Sequence, residues 1–180
     1  DIRAQVTKQL IRSALLARMK EKPVSRITVR ELCTASGISR PTFYQYYRDV
    51  FDLAEQTEQD FIEALRRHIG APLPSGKDER FARYRAMCAL FLENRDLFLG
   101  FYGPNGDPAF IHKIIDSSWR PEAEEELSYP LNYTRTFLFR GTAAVMYDWL
   151  QKGDARESLD EITAVITHLT FEGITPDRLS

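Results

Sequence analysis

Cysteine is scarce in this chain. Cys33 and Cys88 are the only two in 180 residues, and both fall in apolar, helix-like stretches. That excludes a disulfide scaffold and predicts a reduced, cytoplasmic compartment. No apolar run approaches the length of a membrane span, and no leader with a cleavage site opens the chain. The first residue is Asp1, which points to a missing natural start. Glycine-rich phosphate loops, nucleophile elbows and zinc-like spacings are absent, which leaves no motif for catalysis. His112 and Asp116 stand one turn apart but lack a second ligand pair. His68 and His168 have no ligand-like neighbours. For all three histidines a solvated face is the default, and neither metal nor cofactor is expected. No alternating strand pattern and no internal repeat is found.

What is present is helical periodicity and a lopsided charge. Hydrophobic residues make up 43% and charged residues 28%, as in an ordinary globular protein. The net charge is −2. Residues 1 to 48 hold ten Lys/Arg against three Asp/Glu, or +7; residues 49 to 180 hold fourteen against twenty-three, or −9. A basic head on an acidic body suits a polyanionic partner, although a basic solvated face would look the same.

Val6, Leu10, Ile11, Ala14, Leu15 and Met19 recur at three-and-four spacing and predict an amphipathic helix over 3–20. Pro23 breaks it. Thr28-Val29-Arg30-Glu31 is a capping box that opens a short helix, which Gly37 ends. Ser39 caps the next helix, and Pro41 sits in its first turn, where a missing N–H costs nothing. Asp49 caps a long helix with a stripe of Phe51, Ala54, Phe61, Leu65 and Ile69. A linker over 70–76 follows. Helices are then predicted near 78–94, 96–102, 108–118 and 131–152, with an acidic, poorly patterned run at 122–126. Asp154-Ala155-Arg156-Glu157 reads as a second capping box, opening a last helix that Gly173 closes.

The segment GISRPTFYQYYRD, residues 37–49, holds four aromatics in five positions. Two short helices joined by a glycine turn, with a third before them, make a helix-turn-helix. On the wheel, Phe43 and Tyr47 share an inward face with Ile38 and Leu32. Pro41, Thr42 and Gln45 point outward, flanked by Tyr44 and Tyr46. Such a strip fits the major groove. Gln45 can bond a base edge twice, Arg40 can do so at guanine, and Pro41 and Thr42 can touch a thymine methyl. The tyrosine hydroxyls reach for phosphate. A three-helix bundle that docks to protein is the plainer alternative.

ITVRELCTASGISRPTFYQYYRDVFDL resembles the DNA-binding domain of TetR-family transcriptional regulators, over roughly residues 5–55. The spacer 21–26 and the segments 137–141 and 149–153 resemble a short-bodied branch of that family. The resemblance implies base reading by Arg30, Arg40, Pro41, Thr42, Tyr44 and Gln45. It implies backbone grip by Thr28, Ser39, Tyr46 and Arg48. The family usually has a lysine where this chain has Val50, so that contact is expected to be lost or moved to Arg48.

The same resemblance implies an effector pocket in the aromatic middle, for which Tyr84, Cys88, Phe91, Phe98, Tyr102, Phe110, Phe137 and Arg140 are candidates. Aromatics such as Phe81, Phe101 and Trp119 at helical spacing equally suit a plain core. Arg140, in an apolar run, is expected to need an acidic ligand or a carboxylate across a dimer. The resemblance further implies a four-helix dimer bundle from the last two helices, with Phe139, Ala143, Met146, Tyr147, Leu150, Ile162, Ile166 and Leu169 as candidates; these residues could instead close the monomer core. The expectation is an all-α homodimer of about nine helices. Residues 1–48 would bind double-stranded operator DNA, and 49–180 would bind an effector and dimerise. It would be a non-enzymatic regulator, a repressor in the first instance. The alternative is a DNA-bound interaction protein or activator governed by a partner protein.

Overall fold

The computed structural model describes residues 2–69, 75–118 and 129–173; of Ile69, Ser118 and residues 129–132 only the backbone is described. Among these residues there are nine α-helices and no strand. They are α1 (Ile2–Met19), α2 (Val29–Ser36), α3 (Arg40–Tyr46), α4 (Val50–Ile69), α5 (Lys77–Glu93), α6 (Arg95–Tyr102), α7 (Phe110–Ser118), α8 (Tyr129–Gln151) and α9 (Leu159–Phe171). Short 3-10 turns occupy Val24–Arg26 and Gly153–Ala155. The acidic run 122–126, Trp119 and most of the 70–76 linker lie outside the described residues.

Contacts divide the chain into two compact units. The first holds residues 1–62 and 96–110; the second holds 63–95 and 111–180. This division by contact is a different cut from the division by role expected at residue 48.

The first unit has a core of Ile11, Leu15 and Met19 from α1, Leu32, Phe43 and Tyr47 around the helix-turn-helix, and Leu53 and Phe61 from α4. Phe61, Phe98 and Phe110 meet pairwise at ring-centroid distances of 6.1 to 6.4 Å. Phe98 also stacks on Tyr102 at 5.3 Å. Each fully buried aromatic contributes about 1.5–3 kcal/mol of burial energy. The stripe of α4 differs from the sequence reading at one end. Phe51 is 60% exposed, and the inward line runs through Val50, Leu53, Ala54, Thr57, Glu58, Phe61, Ile62 and Leu65. Position 51 is one residue off that three-and-four line.

After α6 the chain turns a tight corner. Gly106 N–H donates to the Gly103 carbonyl (2.9 Å), and Asp107 N–H to that of Phe101 (3.0 Å). A side chain at Gly106 would run into the Phe101 carbonyl.

In the second unit α8 and α9 pack on each other and on α5. Met87, Cys88 and Phe91 of α5 are buried, as are Ala143, Met146, Trp149 and Leu150 of α8 and Ile162, Thr163 and Ile166 of α9. Burial pushes the Cys88 thiol up to about 11, against a smaller opposing effect of the Thr163 hydroxyl. The capping box of α9 is Ser158/Glu161, four residues later than expected: Ser158 Oγ accepts from Glu161 N–H, and Glu161 accepts from Ser158 N–H (2.8 Å). The reason is local. Glu157, the partner expected for Asp154, is bonded to Lys152 Nζ (2.6 Å), and residues 153–155 form the 3-10 turn.

Candidate nucleic-acid interface

Local chemistry fixes the helix-turn-helix. Thr28 and Glu31 close their capping box: Glu31 N–H donates to Thr28 Oγ1 (3.3 Å) and Thr28 N–H to Glu31 Oε2 (2.8 Å). The same glutamate pairs with Lys22. Bonds from Lys22, then from the Thr28 side chain and backbone, pull the Glu31 carboxyl down to about 2. Gly37 ends α2 at φ 69°, a left-handed turn that only glycine adopts cheaply. Ser39 Oγ then caps α3 by accepting from Thr42 N–H (3.2 Å), with Pro41 in the first turn.

Two rings nail α3 down. Phe43 and Tyr47 are fully buried, 5.7 Å apart between centroids. Tyr44 meets Phe43 edge-on at 5.5 Å, yet is itself 56% exposed. Arg40, Pro41 and Gln45 are exposed; Thr42 and Tyr46 are half-buried. Arg30 on α2, together with Thr28, Ser39 and Arg48, is exposed too. The ten residues therefore lie on one short stretch of surface-bearing chain, and six of them fall into three states of readiness. Among the described residues the side chains of Arg30, Arg40 and Gln45 make no hydrogen bond or ion pair. The hydroxyls of Thr28 and Ser39 are engaged with Glu31 and Thr42 (each 2.8 Å). Arg48 is held by Asp52: its N–H donates to Oδ2 (2.8 Å) and its guanidinium to Oδ1 (3.3 Å). Those bonds, the backbone one first, lower the Asp52 carboxyl from its ordinary range. Val50 is only 5% exposed, so that position points into the core rather than outward.

The basic head is also less basic in three dimensions. Arg12 pairs with Asp60, Arg18 with Glu21, Lys20 with Asp96, Lys22 with Glu31 and Arg48 with Asp52. Counted over the whole first unit, ten Lys/Arg meet ten Asp/Glu. Among the described residues Lys8, Arg26, Arg30 and Arg40 have no recorded acidic partner. The sequence reading overlooked Lys8, whose Nζ lies 5.8 Å from the centre of the Tyr46 ring. Only a tertiary contact brings those two together, so spacing gives no signal for it.

Three solved structures set this arrangement in context. A TetR transcriptional regulator from Streptococcus agalactiae 2603V superposes with a TM-score of 0.59 at 20% identity, over 94% of this chain and 96% of that one. The fatty acid degradation regulator FadR from Bacillus halodurans gives 0.63 at 13% identity, over 93% and 96%. The fold is that of the TetR-type regulators. The dihydroxyacetone kinase operon activator DhaS shares this TetR-type fold, with a TM-score of 0.55 at 15% identity, over 93% and 96%. In sequence, the HTH-type transcriptional regulator YxbF of Bacillus subtilis (strain 168) is 34% identical over 59 residues, a third of this chain. The match covers 16% of that relative's length. No protein-family model matches the chain.

The effector-pocket candidates differ in unit and in burial. Phe98, Tyr102 and Phe110 belong to the first unit, while Tyr84, Cys88, Phe91, Phe137 and Arg140 belong to the second. Phe91, Phe98, Phe110 and Cys88 are buried core, whereas Phe137 is 66% exposed. Tyr84 packs edge-on against Phe171 (5.6 Å). Arg140 is not the buried charge expected. It is exposed and donates to His112 Nε2 (2.8 Å), so no carboxylate is required to offset a buried cation. Asp116 faces Arg135 at 3.9 Å.

The dimer candidates also differ in burial. Ala143, Met146, Leu150, Ile162 and Ile166 are buried within one chain, because their faces of α8 and α9 are the ones turned inward. Phe139 and Tyr147 are half-buried, and Leu169 is exposed. Among the described residues of these two helices, the large apolar side chains left in solvent are Tyr133 and Phe137 on α8 and Val165 and Leu169 on α9, besides Phe171 at the end of α9, which packs on Tyr84. Each pair is one turn apart. Gly141 continues the α8 line with open space where a side chain would stand.

Proposed function

We propose that the chain is a sequence-specific DNA-binding transcriptional regulator, with no catalytic role, acting in the cytoplasm. One observation carries this reading: Phe43 of α3 and Tyr47 at its C-cap are buried, while Arg40, Pro41, Tyr44 and Gln45 of α3 stand in solvent. A helix fixed on one side, with hydrogen-bonding and flat side chains on the other, is what a major groove accepts. Residues 1–48 read the DNA. Gln45 and Arg40 contact base edges; Pro41 and Thr42 lie against them; Tyr44 and Tyr46 flank them; and Arg30 adds a contact from α2. Thr28, Ser39 and Arg48 hold the backbone once DNA draws them from their present partners.

Residues 49–180 dimerise and receive the signal. The stripe Tyr133, Phe137, Val165 and Leu169 pairs with its copy, because exposed apolar pairs on two packed helices suit a two-fold bundle. The dimer then reads a palindromic double-stranded operator. An effector bound by the body shifts the population of DNA-binding dimers, by no more than its differential affinity for the two states. Release from the operator would make the protein a repressor. Because the expected pocket aromatics are largely packed core, control by a partner protein, or activation, is the second reading.

The test is selection of bound duplexes from a random-sequence pool, followed by affinity measurements. A palindromic motif should emerge, and Gln45→Ala should weaken binding and relax preference at one base pair of each half-site. Recovery of no duplex would remove the DNA reading. An unaltered motif with Gln45→Ala would remove that residue as a base reader.

A further inference from the structure

Lys8 lies on α1, outside the helix-turn-helix. Its ammonium rests 5.8 Å from the centre of the Tyr46 ring, on the short helix offered to DNA. Tyr46 is half-buried and leans on Tyr47, the fully buried anchor (6.5 Å between centroids). The contact therefore connects α1 to the anchored C-terminal end of α3.

Lysine chemistry makes the placement informative. An ammonium is a compact, strongly hydrated charge on a flexible stem, and at a surface it normally finds water or a carboxylate. Arg12, one turn further along α1, has done so with Asp60; Arg18 has done so with Glu21. Lys8 has no acidic partner among the described residues. Its charge is held over a phenol ring instead, a weak attraction that leaves the ammonium without a counter-charge. An uncompensated ammonium over the ring and the phenol hydroxyl of that ring can offer a phosphate a full charge and a hydrogen bond.

We propose that Lys8 and Tyr46 form one phosphate-binding pair, so that the DNA footprint extends from α3 onto α1. This rests on the reading of α3 as the DNA-facing helix, and it adds a contact which that reading lacks. The partner is a backbone phosphate of duplex DNA, so the contribution is sequence-independent and sensitive to salt.

The test uses the full chain and a duplex that the parent protein recovers from a random-sequence pool, with affinity measured across a salt series. Lys8→Gln and Lys8→Met both remove the charge; the second keeps the packing on Tyr46. Each should lower the magnitude of the slope of log K against log salt by about 0.9 per chain bound. At about 0.15 M salt that corresponds to roughly fivefold weaker binding for each chain bound. Lys8→Arg should restore both slope and affinity, and the selected motif should stay the same throughout. If both neutral variants keep the parent slope, the pair is not a phosphate site, whatever happens to thermal stability. A loss of affinity equal at all salt concentrations would mean that Lys8 only supports Tyr46, and would likewise overturn the proposal. If the parent recovers no duplex, the reading of α3 falls and this inference falls with it; if it does, the Lys8 variants are judged on their own.

Discussion

The first 48 residues and the α8–α9 pair both bear exposed aromatics, but for opposite physical reasons. Tyr44 stands on a helix with only two inward anchors and a polar outer strip. Phe137 and Tyr133 stand on a helix that is apolar nearly all round, whose other side is already used by the chain's own core. In the first region the exposed ring is one member of a mixed surface suited to a polar, charged partner. In the second it belongs to an apolar stripe suited to another apolar stripe. Exposure alone does not name a partner; the neighbours of the exposed ring do.

Substitutions at paired positions would break or sharpen that contrast. The largest effect is expected from Phe43→Ala, about 3–5 kcal/mol of lost stability in a denaturant titration. Tyr44→Ala beside it should change stability by less than about 0.5 kcal/mol while still impairing DNA binding. In the body, Met146→Ala should cost about 2–5 kcal/mol of stability. The double variant Phe137→Asp, Leu169→Asp should leave a folded monomer in sedimentation. A folded dimer from that variant would remove the proposed stripe. Gln45→Ala comes next, at about 1–3 kcal/mol of operator affinity, measured by anisotropy. Ser158→Ala should cost about 1 kcal/mol by removing the α9 cap, whereas Asp154→Ala should be close to neutral.

The smallest effect is a pH dependence in the head. Glu31 has its carboxyl at about 2 in the folded chain, below the ordinary glutamate value of about 4.3. Its stabilising contribution is therefore complete above about 4.3 and lost as pH falls toward about 2. Glu31→Gln should flatten stability against pH in that window and nowhere else. Thermal melts of both proteins at several acid pH values would show it.

The sequence was most informative where period and capping agree. The inward Phe43 and Tyr47, the Gly37 turn and the Ser39 and Asp49 caps all follow from local rules, and Asp52 N–H does donate to Asp49 Oδ1 (2.8 Å). It was silent where a helix could face either way. α8 is apolar on both sides, so periodicity could not say that Met146 and Leu150 turn inward while Phe137 turns out. Overlapping motifs were a second source of error. Asp154-x-x-Glu157 and Ser158-x-x-Glu161 are both capping boxes on paper, and the Lys152–Glu157 bond separates them. Charge was the third. A count along the chain gave a strongly basic head, but Asp52, Asp60 and Asp96 fold back onto three of its cations. What remains for a polyanion is a small set of uncompensated side chains, and no count along the sequence can single them out.

The corner between α6 and α7 has an evolutionary consequence. Surface turns usually absorb substitution more freely than helices. Here the freedom is inverted at one position, because Gly106 leaves no room beside the Phe101 carbonyl for even a methyl group. Among working versions of this protein, drift should be common at exposed Pro104 and Ala109 and nearly forbidden between them at residue 106. A frozen glycine in an otherwise drifting loop would then record a steric limit of the scaffold, and should not be mistaken for the mark of a ligand.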